Sequence, residues 1–136
     1  MKTDDNNQIK TVRLLLVDDE DRFRQTIAKR LAKRGITSDQ AADANECLSI
    51  LKKKPMDVVV LDVKMPGMSG MEFFEAARDK LWATTVIMMS AYASIDTAVE
   101  AMKKGAYDFI SKPFKLDEVL LTLKKAEERE SLKREN

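Results

Sequence analysis

Four places in this sequence hold residues that an apolar core does not require. Asp18, Asp19 and Glu20 follow the apolar run Leu14–Val17, and Asp62 follows Val58–Leu61. Ser90 and Ala91 follow Val86–Met89, and Lys112 with Pro113 follows the weaker stretch Tyr107–Ile110. Carboxylates brought together repel, at roughly 4 kcal/mol per pair for a separation of about 4 Å and an effective dielectric near 20. A fold that gathers them calls for a cation. An all-oxygen ligand set points to a hard ion, Mg²⁺ first and Mn²⁺ or Ca²⁺ next. A carboxylate beside hydrated Mg²⁺ and a lysine is arranged for phosphoryl transfer, in which positioning and charge neutralisation do most of the work. A single aspartate after a strand is as well explained as a turn former or helix cap. Asp18, Asp19, Asp62, Ser90 and Lys112 together are not.

The elements that must position these residues are legible in the hydropathy pattern. Runs of continuous rather than alternating apolarity suit strands buried on both faces, as in a parallel sheet. Two further strand candidates are weaker, Ile36–Ala41 and Tyr107–Ile110. Between the strands the period becomes helical. Phe23, Ile27 and Leu31 form one stripe; Ala44, Cys47, Leu48 and Leu51 a second; Phe73, Phe74, Ala77 and Leu81 a third. Ile95, Ala98, Val99 and Met102 form a fourth, and Leu116, Val119, Leu120 and Leu123 a fifth. Ser69 with Glu72 reads as a capping box, and Gly35 and Gly105 stand where helices should stop. Strand alternating with helix five times predicts a doubly wound α/β domain, whose ligands gather beyond the carboxyl ends of the strands.

Composition narrows the class of function. The chain has 136 residues, 44% hydrophobic and 35% charged, enough for one packed domain. Lys plus Arg is 24 against 23 for Asp plus Glu, a net charge of +1 that argues against a dedicated nucleic-acid binder. Histidine is absent, which removes Ser-His-Asp and Cys-His catalysis, histidine metal sites and any phosphohistidine-carrier role. Cys47 is the sole cysteine, so no intramolecular disulfide or multi-cysteine zinc site can form. The polar opening Met1–Gln8 lacks the apolar segment of a signal peptide, and no run approaches the roughly 20 apolar residues of a membrane span. The chain reads as soluble and cytoplasmic.

The stretches Leu15-Leu16-Val17-Asp18-Asp19-Glu20, Val60-Leu61-Asp62-Val63-Lys64-Met65-Pro66-Gly67-Met68-Ser69-Gly70, Met89-Ser90-Ala91 and Ser111-Lys112-Pro113-Phe114 resemble those of bacterial two-component response-regulator receiver domains. The resemblance covers about residues 12 to 124 and places all five signature positions in order. It implies a flavodoxin-like (βα)5 fold with strand order 2-1-3-4-5. It implies that Asp62 is the phosphoacceptor, taking its phosphoryl group from the phosphohistidine of a sensor histidine kinase. Mg²⁺ (or Mn²⁺) would be held by Asp19, Asp62 and the backbone carbonyl of Lys64, with Asp18 acting through a water. Lys112 would contact the phosphoryl oxygens, Ser90 would move to hydrogen-bond them, and Phe109 resembles the aromatic switch. Serine at position 90, where threonine is commoner, keeps the hydroxyl. The Lys112–Pro113 bond is expected to be cis, a form accessible because proline follows. The domain would be a phosphoacceptor switch rather than an enzyme, limited to Mg²⁺-dependent self-phosphorylation and slow autodephosphorylation.

The segment from Ser90 to Ile110 is similar to receivers of the enhancer-binding activators that work with sigma-54 RNA polymerase. The tail Leu123–Glu130 resembles the helical linker before their ATPase domain. No Gly-x-x-x-x-Gly-Lys loop or helix-turn-helix candidate occurs, so the chain is expected to be the regulatory part of a longer activator. The expected organisation is a flexible leader over 1–12, a receiver domain over 13–124 and a charged helical linker over 125–136. Expected partners are the sensor kinase, the ATPase and DNA-binding output domains that this chain lacks, and a second copy in a homodimer. Neither nucleic acid nor membrane is expected to bind directly. Two other functions compete with this one: a stand-alone receiver acting by protein binding, and an Mg²⁺-dependent aspartyl phosphatase. The phosphatases carry Asp-x-Asp, whereas the triplet here is Asp62-Val63-Lys64, without the general acid. Other features have structural explanations. Met65, Met68 and Met71 fit a loop packed beside the acceptor better than a copper(I) site. Lys52–Lys54 fits a solvated helix end, Cys47 a core position, and Trp82 has no assigned role.

Overall fold

The computed structural model describes residues 13–65, 67–81, 84–91, 95–112 and 116–135. Pro66, Trp82, the 92–94 segment, Pro113 with its expected cis bond, and the 1–12 leader lie outside the described residues. The strands are β1 (Leu14–Val17), β2 (Ser38–Ala41), β3 (Val58–Asp62), β4 (Thr85–Ser90) and β5 (Asp108–Ser111). They form one parallel sheet in the order β2-β1-β3-β4-β5. The helices are α1 (Asp21–Lys33), α2 (Ala44–Lys53), α3 (Gly70–Ala76), α4 (Arg78–Leu81), α5 (Ile95–Lys103) and α6 (Leu116–Glu135). None of the described helices is long and apolar enough to cross a membrane.

The continuous apolar strands are buried on both sides. Leu15, Val17, Val59, Leu61, Val86 and Met88 pack with Cys47, Phe73, Phe74, Leu81 and Ala101 on one face. Leu14, Leu16, Val58, Val60, Ile87 and Met89 pack with Ile27, Leu31, Val119, Leu123 and Ala126 on the other. Successive strand residues therefore enter different cores, and a polar residue in either register would cost stability. The two edge strands are the exceptions, because only Ala41 of β2 and only Ile110 of β5 are buried.

Helix ends follow local chemistry. Ser69 and Glu72 close a reciprocal capping box, and the Asp43 side chain accepts the Glu46 N–H. Gly35 and Gly105 take φ of 86° and 110° after their helices, in the left-handed region that glycine enters without penalty. Two expectations need correction. The third helical stripe is one apolar face but not one helix: it breaks at Ala77 into α3 and α4 while Phe73, Phe74, Ala77 and Leu81 all stay buried. The fourth stripe does not all face the core. Val99 and Met102 are each 46% exposed, whereas Ala101, outside that stripe, is fully buried. Ala101 takes the core-facing position of α5, and Val99 and Met102, on other sides of the helix, are left outward.

Helix α6 runs without a break past the expected end of the packed turn, and Ala126 is still fully buried. Leu123, 1% exposed within the α1/α6 core, is expected to carry much of this docking. Leu123→Ala should lower the free energy of unfolding by about 2–5 kcal/mol, read by urea titration. A loss below about 1 kcal/mol would mean that α6 is not part of the cooperative fold.

Candidate functional site

Parallel pairing fixes which side chains meet. Leu16 and Val17 of β1 are in register with Val60 and Leu61 of β3, so Asp18 and Asp62 emerge side by side. In this strand order the chain reverses direction of winding between β1 and β3, which is where such sheets place ligands. Asp62 and Ser90 were expected just past their strands and are instead their last residues.

Oxygen atoms of Asp18, Asp19 and Asp62 all lie within 4.8 Å of one another. Asp18 is fully buried and Asp62 is 4% exposed, while Asp19 is exposed. Lys112 reaches in from the end of β5, its side chain 7% exposed. Its Nζ lies 2.7 Å from Asp18 Oδ2, 2.9 Å from Glu20 Oε1 and 3.5 Å from Asp62 Oδ2, and 4.3 Å from the centre of the Phe23 ring. The Lys64 N–H donates to Asp62 Oδ1 at 3.2 Å, and the Glu20 N–H to Asp18 Oδ1 at 2.8 Å. These groups surround a cleft of about 560 Å³ lined by Asp19, Glu20, Asp62, Lys64, Met65, Ser69, Ala91 and Lys112. Ala91, the residue just past β4, forms part of this wall. Ser90 itself is 2% exposed, with its carbonyl accepting the Lys112 N–H at 2.9 Å. Phe109, half-buried in β5, packs against the core on the α2/α3/α5 side.

Three residues to which the motifs assign no role hold this arrangement. Arg24, 8% exposed, donates to the backbone carbonyl of Asp18 and to Gln40 Oε1 at 3.0 Å, and pairs with Asp21 at 2.8 Å. Gly70 opens α3 directly beneath the acceptor strand, and a Cβ there would overlap the carbonyl oxygen of Asp62. Glu20 completes the carboxylate shell of Lys112. The only signal for Arg24 in the sequence is a charge beside the α1 stripe, and for Gly70 a glycine inside the helix after a perfectly good cap. Met65 and Met68 lie in the loop after β3, 8% and 42% exposed, whereas Met71, expected in that loop, belongs to the first turn of α3 and is 9% exposed.

The electrostatics match the crowding. Burial pushes Asp62 up from 3.8 to about 6, and the Asp18 charge adds to this; Lys112 and the Lys64 N–H act the other way. For Lys112, burial acts downward, but hydrogen bonds to Asp18 and Glu20 and the charges of Asp18 and Asp62 outweigh it, so its pKa is raised. The carboxylate set fits a hard divalent cation, being all oxygen, partly open to solvent and underneutralised by one ammonium.

The doubly wound domain thus carries three carboxylates and a lysine at its topological switch point. The chain matches the response regulator receiver domain over residues 14–124, and it belongs to that family. Receiver domains bind Mg²⁺ at an acidic pocket, which the Asp18–Asp19–Asp62 cluster supplies here. The chain is 38% identical over 123 residues to the regulatory protein AtoC of Escherichia coli, covering 90% of this chain and 27% of AtoC. The crystal structure of NtrX from Brucella abortus superposes with a TM-score of 0.84 at 35% identity, covering 91% of this chain and 28% of NtrX. A response regulator from Burkholderia pseudomallei, solved with a phosphorylated aspartic acid, a calcium ion and citrate, gives a TM-score of 0.76 at 28% identity, covering 90% and 72%. AtoC and NtrX are response regulators of the sigma-54 activator class, and this chain spans about a quarter of their length.

The raised pKa of Asp62 has a thermodynamic consequence. Between 3.8 and about 6 the folded chain binds a proton that the unfolded chain has released, so stability falls as pH rises through that window. Above it the ionised Asp62 costs roughly 3 kcal/mol, at 1.36 kcal/mol per pKa unit. Without metal, Asp62→Asn is expected to melt several degrees above the parent at pH 7.5, with the gap closing towards pH 4. Calorimetry in EDTA checks this, and a gap that does not depend on pH would contradict it.

Proposed function

We propose that this chain is the phosphorylation-controlled regulatory domain of a two-component response regulator, with Asp62 as the phosphoacceptor. The observation that carries the reading is the approach of Lys112 Nζ to Asp62 Oδ2 in the cleft that also holds the Asp18–Asp19 pair. An Asp62 carboxylate oxygen attacks the phosphorus of a sensor kinase's phosphohistidine. The new P–O bond forms as the P–N bond breaks, and the imidazole leaves with the electron pair. Asp19, Asp62 and the Lys64 carbonyl would hold Mg²⁺ or Mn²⁺, with Asp18 acting through a water, and the ion would supply neutralisation of the phosphoryl charge. The Burkholderia pseudomallei relative, with its phosphorylated aspartic acid and calcium ion, supports the pairing of acyl phosphate and hard cation.

In this reading Lys112 binds a phosphoryl oxygen, the Ser90 hydroxyl moves in to hydrogen-bond another, and Phe109 follows into the space released. The change is read on the face built from α5, β5 and α6, where Val99, Met102 and Leu121 are exposed. A local charge event thus biases a two-state surface. Its readers are a second copy of the domain in a homodimer, or an ATPase domain of a cytoplasmic sigma-54-type activator, as the likeness to AtoC and NtrX suggests. Residues 125–136 then serve as the helical linker. The continuity of α6 to Glu135 and the stacking of Arg129 5.0 Å over the Tyr107 ring support a rigid connection. The domain acts as a switch rather than an enzyme, and it needs no contact with nucleic acid.

Two variants test the reading. Asp62→Asn should take up no phosphate from acetyl phosphate, because an amide does not act as the carboxylate nucleophile. One added phosphate at the parental rate, by intact-mass spectrometry, would overturn the assignment. Mg²⁺ should raise the melting temperature of the parent, and Asp19→Asn should blunt that rise while stabilising the metal-free form. An undiminished Mg²⁺ shift in Asp19→Asn would place the metal elsewhere.

A further inference from the structure

The ammonium of Lys112 has three hydrogens to donate, and its two shortest contacts go to Asp18 at 2.7 Å and Glu20 at 2.9 Å. The phosphoacceptor of the proposed function, Asp62, is a more distant ion-pair partner at 3.5 Å. Resting geometry therefore commits the lysine away from the atom on which the phosphoryl group would arrive. Two of its hydrogens are held by Asp18 and Glu20, so drawing the ammonium from 3.5 Å to hydrogen-bond distance of a phosphoryl oxygen on Asp62 stretches one of those two short contacts. The Asp18 side chain is fully buried, and giving up the ammonium there would leave a buried charge without its counter-ion. The Glu20 side chain is 62% exposed at the mouth of the cleft and rehydrates on release at little cost. Glu20 also makes no capping hydrogen bond to α1, so its side chain is not tied down by the helix it precedes.

We propose that Glu20 is a positioning residue, a releasable counter-ion that parks Lys112 at the cleft mouth and sets the rate at which the lysine becomes available to the phosphoryl group. The inference rests on the reading of Asp62 as phosphoacceptor. An acyl phosphate donor makes the balance explicit. An Asp62 oxygen forms the bond to phosphorus, the bond from phosphorus to the acetate oxygen breaks, and acetate leaves with the electron pair. Lys112 must swing from Glu20 to the transferring group during that exchange. The contact with Glu20 thus holds the resting state against the phosphorylated one, while Asp18 anchors the lysine in both.

The test separates the contact from the charge. Glu20→Gln removes the carboxylate charge, whereas Glu20→Asp keeps it on a side chain one methylene too short for the 2.9 Å contact. Phosphorylation of the 136-residue chain by acetyl phosphate is followed by intact mass at saturating Mg²⁺, with Asp62→Asn as control. Beryllofluoride affinity provides a readout without bond cleavage. Both Glu20 variants should phosphorylate about two- to fivefold faster than the parent and bind beryllofluoride tighter by a similar factor, the size expected of an exposed ion pair. Acceleration in Glu20→Gln alone would show that the charge at the mouth repels the donor, and would overturn the proposal. Parental rates in both variants would overturn it too, with the phosphoacceptor reading intact so long as the parent is labelled and Asp62→Asn is not. A parent labelled no faster than Asp62→Asn would overturn that underlying reading, and this proposal with it.

Discussion

One buried ammonium makes the carboxyl end of this sheet possible. Lys112 stands between the two carboxylates, Asp18 and Asp62, that parallel pairing of β1 with β3 forces into adjacency. Without a cation, side chains that are 0% and 4% exposed would hold unscreened like charges at the strand ends. With one, the charge is only partly balanced, and Asp62 remains pushed up to about 6. In the proposed function that residual imbalance leaves a site for a divalent cation and a phosphoryl group to complete, at the cost of stability in the empty form.

The rest of the molecule can be understood as support for that arrangement. Arg24 pins the backbone at Asp18, so α1 is tied to the site as well as to the core. Gly70 lets the start of α3 lie against the backbone of Asp62, and the Gly70 N–H bonds to the Val63 carbonyl at 2.6 Å. The Lys112 N–H is held by the carbonyl of Ser90, which locks the end of β5 to the end of β4. A charge change at Asp62 therefore meets the ends of β1, β4 and β5 and the starts of α1 and α3 at once. Rigid packing of such ends favours discrete rearrangement over gradual deformation.

Much of this was legible in the sequence because both-face burial leaves continuous apolar runs, and because strand ends in a doubly wound sheet converge. Those two facts locate Asp18, Asp19, Asp62 and Lys112 without coordinates. The outward turn of Val99 and Met102 was not legible, since a helical stripe gives a face but not the angle at which a small residue such as Ala101 docks. The break at Ala77 left no trace for a similar reason: two short helices can share one apolar face. Glu20 was in view as part of an acidic triplet, but its pairing with Lys112, 92 residues away, is a property of the folded rim. Ser90 and Phe109 are placed by their strands, whereas the roles proposed for them are displacements, which residue type and position do not encode.

The central claim, that Lys112 is the counter-ion on which the metal-free site depends, is tested most directly by equilibrium unfolding of Lys112→Met in urea, with EDTA and then with millimolar Mg²⁺. Methionine keeps the length and apolar stem but removes the charge. The account predicts a loss of about 3 kcal/mol in EDTA, the cost of stranding buried carboxylates, with much of it recovered when Mg²⁺ takes over the neutralisation. A variant as stable as the parent in EDTA, or one that Mg²⁺ does not rescue, would contradict it.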